Sequence, residues 1–110
     1  MRIIQLVTSL SYGDAIGNDV IAIHQTLETA GYDSFVMAVR IHPVAKEKVK
    51  LLPVSVDAVN ADDIVIFHKA AGDALTTLFQ GFSCRKILLY HNITPASFFL
   101  PYVYFAPLPD

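Results

Sequence analysis

The sequence has one cysteine, few charges and no basic excess, and each shortage excludes a class of protein. A single cysteine, Cys84, leaves no internal disulfide and no metal site built from several cysteines. It is consistent with a reducing cytoplasm. Lysine and arginine number 8 against 10 acidic residues, for a net charge of −2 at pH 7. Nucleic-acid-binding domains carry the opposite balance, so we expect no nucleic-acid partner.

Long apolar runs are also missing. No stretch approaches the roughly 18 apolar residues of a membrane-spanning helix. The N-terminal apolar run is short, and no small-residue cleavage site follows it, so it does not predict a signal peptide. We therefore expect a cytoplasmic protein, with peripheral association at the inner face of the membrane as an open alternative.

What the chain does have is an excess of apolar residues. They make up 54% of the 110 residues, whereas charged residues make up 16%, below the roughly 25% of a typical soluble domain. One interpretation is a parallel sheet covered on both faces, whose strands are nearly continuous apolar runs. The other is an exposed apolar face that binds a partner or a second copy of the chain. The composition leaves both open.

Apolar runs alternate with helical patterns along the chain. A first helix is predicted from the helical spacing of five apolar residues, with Asp14 or Asn18 as its cap and Gly31 at its end. A second short helix is predicted to begin at Asp73 and to end at Gly81. The apolar face of the first helix is formed by Ile16, Val20, Ile23, Leu27 and Ala30. Strands are predicted at 3–8, 34–39, 49–54, 64–67 and 87–90, with loops at 9–18 and 40–49.

The order of these elements predicts the fold. Strand, helix and strand follow one another twice, which is typical of a parallel α/β sheet with helices on both faces. A chain of this length forms about one domain. Pro53 interrupts the strand predicted at 49–54, and we therefore place that strand at an edge of the sheet.

Two histidines follow buried strands at the point where each strand ends. His68 ends the run at 64–67, and His91 with Asn92 ends the run at 87–90. The carboxyl ends of parallel strands share the edge of the sheet where ligands bind, so we expect these side chains to lie together. Two histidines without an acidic third ligand at motif spacing do not predict a zinc site.

A glycine loop joins the first strand to the first helix and should reach the same edge. Gly13 and Gly17 bracket it, and backbone N–H groups at a helix start can bind a phosphate. The spacing G-x-x-x-G differs from the dinucleotide pattern, and no P-loop lysine follows. A tight structural turn explains the two glycines equally well.

The remaining polar candidates are interpreted as structural. Cys84 precedes a strand and is expected to be a structural thiol. His24 lies on the first helix and is expected at a partly buried or surface position, and His42 lies in a polar loop. Asp62 and Asp63 come before a strand, at the edge opposite the histidines, and are interpreted as a solvated turn. No G-x-S-x-G pattern predicts a serine nucleophile.

Three stretches resemble a known family. Gln5–Val20, Asp63–His68 and Leu89–Pro95 look like the opening and the two later motifs of family-4 (group 1) retaining glycosyltransferases, in matching order. The resemblance spans residues 3–97. It implies the GT-B architecture, in which two Rossmann-like domains face each other across a cleft. Residues 1–97 would form the N-terminal, acceptor-side domain.

The resemblance also implies roles for individual residues. His91 would lie at the reacting sugar as the catalytic residue, while His68, Asn92 and Thr94 would line the acceptor side. The loop formed by Gly13, Asp14, Ala15, Ile16 and Gly17 would approach the donor's diphosphate from across the cleft. The family transfers a sugar from a nucleotide-sugar donor to a glycan or lipid-linked hydroxyl, with retention of configuration and without a metal or other cofactor.

The chain departs from this family in two respects. The donor-binding Glu-x7-Glu motif is absent, since Glu28 and Glu47 are the only glutamates. We therefore expect a missing C-terminal domain and no useful transfer by these 110 residues alone. Residues 98–110 form an apolar tail with three prolines, in place of the family's polar helical pattern. A truncated chain or an altered reading frame would each explain this tail.

Two alternatives come from other classes of protein. The fold could serve as a non-catalytic module that binds or self-associates through an exposed apolar face, giving a homo-oligomer. It could also be a stand-alone nucleotide-binding domain, against which the glycine spacing counts.

Overall fold

Four parallel strands form the sheet, in the order β2-β1-β3-β4. The structure is a computed structural model, and it describes residues 1–11, 13–69 and 74–91. The strands are β1 (Arg2–Leu10), β2 (Asp33–Ile41), β3 (Ile64–Lys69) and β4 (Arg85–Tyr90). The helices are α1 (Ala15–Thr29), α2 (Pro43–Lys46) and α3 (Thr76–Gln80), with a 3₁₀ turn at Val56–Ala58.

The predicted α/β fold is confirmed, with helices on both faces of the sheet. Side chains alternate along each strand, so one face packs against α1 and the other against α3. The α1-side core contains Val7, Leu10, Val20, Ile21, Val36, Ala38 and Ala45. The α3-side core contains Ile4, Leu6, Met37, Val65, Phe67, Leu75, Phe79, Phe82 and Cys84. The central strand β1 is thus covered on both faces, as the first interpretation of the composition required.

Both ends of α1 follow from local hydrogen bonding. At the start, Asp14 caps the helix, and its Oδ1 accepts from the Gly17 N–H at 2.6 Å. At the end, Gly31 has a φ of +91°, a conformation that glycine adopts without strain. The N–H groups of Gly31 and Tyr32 donate to the Glu28 and Leu27 carbonyls, which is the Schellman arrangement. The predictions of Asp14 and Gly31 are confirmed; Asn18 lies inside the helix.

The buried face of α1 is rotated from the predicted one. Gly17, Val20, Ile21 and His24 are buried, whereas Ala30 is exposed. The predicted residues Ile16, Ile23 and Leu27 are half-buried. Gly17, which has no side chain, lies on the buried side of the helix against the Ser11 carbonyl oxygen, and Ala30 follows the last residue of the helix.

The strand predicted at 49–54 is wrong. Leu51 forms one isolated parallel bridge with Val36, on the outer side of β2. The Val36 N–H donates to the Lys50 carbonyl at 2.8 Å, and the Leu52 N–H donates to the Val36 carbonyl at 3.0 Å. Pairing stops there, and Pro53, whose backbone nitrogen faces away from β2, is compatible with this position at the edge of the sheet. The edge position was predicted correctly.

The predicted loop at 40–49 also contains regular structure. β2 continues to Ile41, and α2 follows with His42 as its cap and Pro43 at its first position. The His42 Nδ1 accepts from the Val44 N–H at 3.2 Å, so this histidine has a local structural role. The tail 98–110 and the predicted cap Asp73 lie outside the described residues.

Candidate functional site

The two central strands, β1 and β3, stop pairing before the carboxyl edge of the sheet. β1 pairs with β3 only from Ile3–Ile64 to Leu6–Phe67. On the outer sides pairing continues further, between β1 and β2 to Leu10–Ile41 and between β3 and β4 to Lys69–Tyr90. The strand that follows β1 in sequence, β2, lies on one side of β1, and the next strand, β3, lies on its other side. The strand order therefore reverses between β1 and β3. Ligands of open α/β sheets bind at such a point.

His68 and His91 meet at the carboxyl ends of β3 and β4, next to this point. The His68 Nδ1 lies 3.0 Å from the His91 Nε2, and the two rings are 21° from parallel with their centroids 5.3 Å apart. The backbone N–H of His91 donates to the Lys69 carbonyl at 2.8 Å, which holds His91 as a continuation of β4. The structure therefore brings together the two histidines that the strand ends had singled out.

A buried hydrogen-bond chain continues from His68 into the fold. The His68 Nε2 lies 2.7 Å from Gln5 Oε1, and the Gln5 Nε2 donates to the Val20 carbonyl of α1 at 3.0 Å. Gln5 is fully buried and His68 is 1% exposed. Sequence reasoning missed Gln5. The only feature of the sequence that could have indicated a role for Gln5 is its polar side chain within the apolar run of β1.

Burial makes both histidines poor at holding a positive charge. It lowers the pKa of His68 to about 3, and the neighbouring His91 acts in the same direction. Burial also lowers the pKa of His91, against an opposing effect from the Asp19 carboxylate on α1. Both rings are therefore neutral at pH 7. The half-buried His91 can accept a hydrogen bond from a ligand.

The glycine loop lies at the start of α1, and its glycines have structural roles. Gly13 has a φ of +101°. A Cβ on Gly17 would lie 1.8 Å from the Ser11 carbonyl oxygen. The Gly13 N–H donates to Asn18 Oδ1 at 3.1 Å, and the Gly17 N–H is bound by Asp14. Two of the loop's N–H groups are thus used within the chain. The residues between the glycines, Ala15 and Ile16, form the first turn of α1.

The other predicted site residues, Asn92 and Thr94, lie outside the described residues. The described part of the chain holds no group of three histidine, cysteine, aspartate or glutamate side chains that could bind a metal ion. Cys84 is buried, and burial raises the pKa of its thiol. The expected structural role of Cys84 agrees with this environment. None of the helices in residues 1–11, 13–69 and 74–91 is long and apolar enough to cross a membrane.

The expectation for His24 is wrong, because this residue is 1% exposed. Its Nδ1 lies 2.7 Å from Ser34 Oγ, and its Nε2 lies 3.1 Å from Glu28 Oε1. Serine, histidine and glutamate in this order resemble a nucleophile with its base. Ser34 is completely buried, however, so no substrate reaches its hydroxyl. The cluster attaches α1 to β2.

Asp62 and Asp63 were expected to lie in a solvated turn. This is correct for Asp62 and wrong for Asp63. The Asp62 side chain is 71% exposed, whereas that of Asp63 is 1% exposed. Asp63 accepts hydrogen bonds from the backbone and side chain of Arg2 and from the Asn60 N–H. Both aspartates lie at the edge opposite the histidines, as predicted, so Asp63 has no part in the candidate site.

Comparisons with protein-family models, with curated proteins and with solved structures found no match to this chain.

Proposed function

We propose that this chain supplies the acceptor side of a retaining glycosyltransferase, which transfers a sugar from a nucleotide-sugar donor to a glycan or lipid-linked hydroxyl. The observation that carries the proposal is the neutral, hydrogen-bonded pair of His68 and His91 at the carboxyl edge of the sheet, where β1 and β3 stop pairing. This position, at the reversal of the strand order, supports a ligand site. The sequence resemblance supplies the reaction class.

In this reaction, the acceptor hydroxyl oxygen forms a bond to the anomeric carbon of the donor sugar. The bond from that carbon to the diphosphate breaks, the nucleoside diphosphate leaves with the electron pair, and the hydroxyl proton passes to a phosphate oxygen. We assign to His91 a hydrogen bond with the sugar at the reaction centre, and to His68 the support of that ring.

The leaving diphosphate needs positive groups and free N–H donors around it. The N–H groups of Gly13 and Gly17 are used within the chain, and the start of α1 is acidic, with Asp14 as its cap and Asp19 in the helix. We therefore place the main diphosphate contacts on a second, C-terminal Rossmann-like domain. The loop from Gly13 to Gly17 would only approach the donor from across the cleft.

The test is an NMR titration of the protein with a panel of glycan and lipid-linked acceptor saccharides. We expect saturable shifts at His68 and His91, and His91→Ala should abolish the shift at His68. His42→Ala is the matched control, since His42 is exposed and caps α2, and it should leave binding unchanged. Absence of any saturable shift, or equal loss in both variants, would overturn the proposal.

A second candidate is a self-association module. α1 packs against β1 and β2, while Ile66, Ile87 and Leu89 on the other two strands stay half-buried. These apolar side chains favour contact between copies of the chain. Light scattering separates the two functions. A tight oligomer that is indifferent to saccharides supports the module, and a monomer that binds them supports the transferase.

A further inference from the structure

We propose that Gln5 and His68 are positioning residues that fix the ring tautomer of His91, so that its Nδ1 is the atom offered to a ligand hydroxyl. The identity of the ligand rests on the proposed function. The tautomer is independent of the proposed function, because it follows from hydrogen bonds within the protein.

The direction of the chain is set at its buried end. The Val20 carbonyl can only accept, so the amide nitrogen of Gln5 must face it, at 3.0 Å. Gln5 Oε1 then faces the His68 Nε2 at 2.7 Å. Because an amide oxygen can only accept, the His68 Nε2 must carry a proton and donate.

The same reasoning continues to His91. His68 is neutral, since a second ring proton would place a charge on a side chain that is 1% exposed. Its Nδ1 is therefore an acceptor, and the His91 Nε2 at 3.0 Å must donate to it. In neutral His91 the proton is on Nε2, and Nδ1 is left as the acceptor.

The reverse assignment fails on burial. With the proton of His68 on Nδ1, its Nε2 lone pair would face the oxygen of Gln5 inside the fold. A buried polar atom without a partner is costly, and the described residues contain no buried side-chain nitrogen or oxygen that lacks one. The three hydrogen bonds that link Val20, Gln5, His68 and His91 can all form only if each donor points toward Val20.

This arrangement gives His68 and Gln5 a role in ligand binding, because they fix which nitrogen of His91 is the acceptor. A histidine free to exchange tautomers would offer a donor in part of the population and an acceptor in the rest. Fixing Nε2–H commits Nδ1 of His91 to accepting. Burial outweighs the Asp19 carboxylate in its effect on the His91 pKa, so the ring stays neutral and Nδ1 keeps the lone pair that accepts.

The test is ¹⁵N NMR of the histidine rings in the ligand-free protein near neutral pH. In the wild type we expect the proton of His91 on Nε2, with a scalar coupling across the hydrogen bond to His68 Nδ1. Gln5→Leu removes the acceptor for His68 Nε2–H, so His68 can reverse, and the two tautomers of His91 should mix. Gln5→Glu in its neutral form keeps an acceptor facing His68 and an O–H facing the Val20 carbonyl, and should retain the wild-type tautomer.

Ser34→Ala is the matched control, because it removes a buried hydrogen bond to another histidine, His24, on the same side of the sheet. It should leave the His91 spectrum unchanged. A wild-type His91 protonated on Nδ1, or a Gln5→Leu spectrum identical to the wild type, would overturn the proposal. If Gln5→Leu does not fold, the scalar coupling between the His91 Nε2–H and His68 Nδ1 in the wild type still tests the proposed tautomer.

Saccharide titration of the same variants separates this inference from the proposed function. We expect Gln5→Leu to weaken binding by on the order of tenfold, the equivalent of one net hydrogen bond, and Gln5→Glu to restore it. A fixed tautomer in a protein that binds no saccharide would overturn the function alone. Saccharide binding with mixed tautomers in the wild type would overturn the inference alone.

Discussion

The carboxylate of Asp63 is buried and accepts hydrogen bonds from two parts of the chain that are distant in sequence. Its oxygens accept from Arg2 Nη2 and from the Asn60 N–H, each at 2.7 Å, and from the Arg2 backbone N–H at 3.0 Å. Arg2 also donates to the Ala58 carbonyl at 2.8 Å. Burial raises the pKa of Asp63, but the hydrogen bonds and charge of Arg2 with the Asn60 N–H outweigh it and hold the pKa below its usual value. The start of β1 is thereby joined to the turn before β3.

Replacing Asp63 with Asn should lower the free energy of unfolding by about 3 kcal/mol at pH 7, because a charged partner of Arg2 is lost from a buried site. A carboxyl whose pKa is depressed in the folded state stabilises the fold above the unfolded pKa of about 4. That contribution disappears as the pH falls through the folded pKa. Urea unfolding between pH 7 and pH 3 should therefore show a weaker acid destabilisation in Asp63→Asn than in the wild type.

Asp62→Asn is the control for this variant. Asp62 is adjacent and mostly exposed, and its ion pair is with the N-terminal amine at 3.4 Å. Exposed pairs contribute little, so we expect a change within about 0.5 kcal/mol. Equal losses in the two variants would show that the buried contacts of Asp63 do not stabilise the fold.

The start of α1 is the element on which the candidate site depends most. Gly17 is buried against the Ser11 carbonyl oxygen, in helical backbone, and its N–H is bound by the Asp14 cap. This contact sets how closely α1 lies on β1. It thereby places the Val20 carbonyl within reach of Gln5.

Gly17→Ala should destabilise the protein by about 1–3 kcal/mol, because the new Cβ overlaps backbone that can move only with the helix. The ring signals of His68 and His91 should shift as α1 moves away from Gln5. Urea unfolding and the ¹⁵N ring spectrum measure the two effects.

Gly81→Ala provides the comparison. A Cβ at Gly81 would lie 3.4 Å from the Leu78 carbonyl oxygen, close to ordinary contact, and this glycine has no positive φ. Its replacement should change stability by less than about 1 kcal/mol and leave the histidine signals in place. A loss at Gly81 as large as that at Gly17 would contradict the role of the close approach.

The sequence was informative about elements wherever a pattern repeats locally. Apolar runs predicted β1, β2, β3 and β4, and the strand ends placed His68 and His91 at one edge. The rotation of α1 could not be predicted, because periodicity records where apolar residues lie and gives no information about the contact at Gly17. The run at 49–54 was apolar enough for a strand, but only Leu51 found a partner. Gln5 and Asp63 are buried against partners about sixty residues away, His68 and Arg2, and the residues next to them in sequence do not indicate this.

At the scale of the whole molecule, two cores share a single sheet. β2 contributes Val36 to the α1-side core and Met37 to the α3-side core, and β1 contributes to both in the same way. Neither core can separate from the other without breaking the strands between them. The described domain should therefore unfold as one cooperative unit, as small domains commonly do.

A matched pair of valines tests this cooperativity. Val36 belongs to the α1-side core and Val65 to the α3-side core, and both are strand residues with 0% exposure. Truncating either to Ala should cost about 2 kcal/mol and lower Tm by about 10 °C. Thermal unfolding is followed by the methyl signals of Ile21 on one side and the ring signals of Phe79 on the other. Because the sheet is shared, each variant should lower the midpoints of both probes equally. If Val65→Ala lowered the Phe79 midpoint and left that of Ile21 in place, the two faces would be separate folding units, and the hydrogen-bond chain from α1 to His91 would have to form independently of the α3 side.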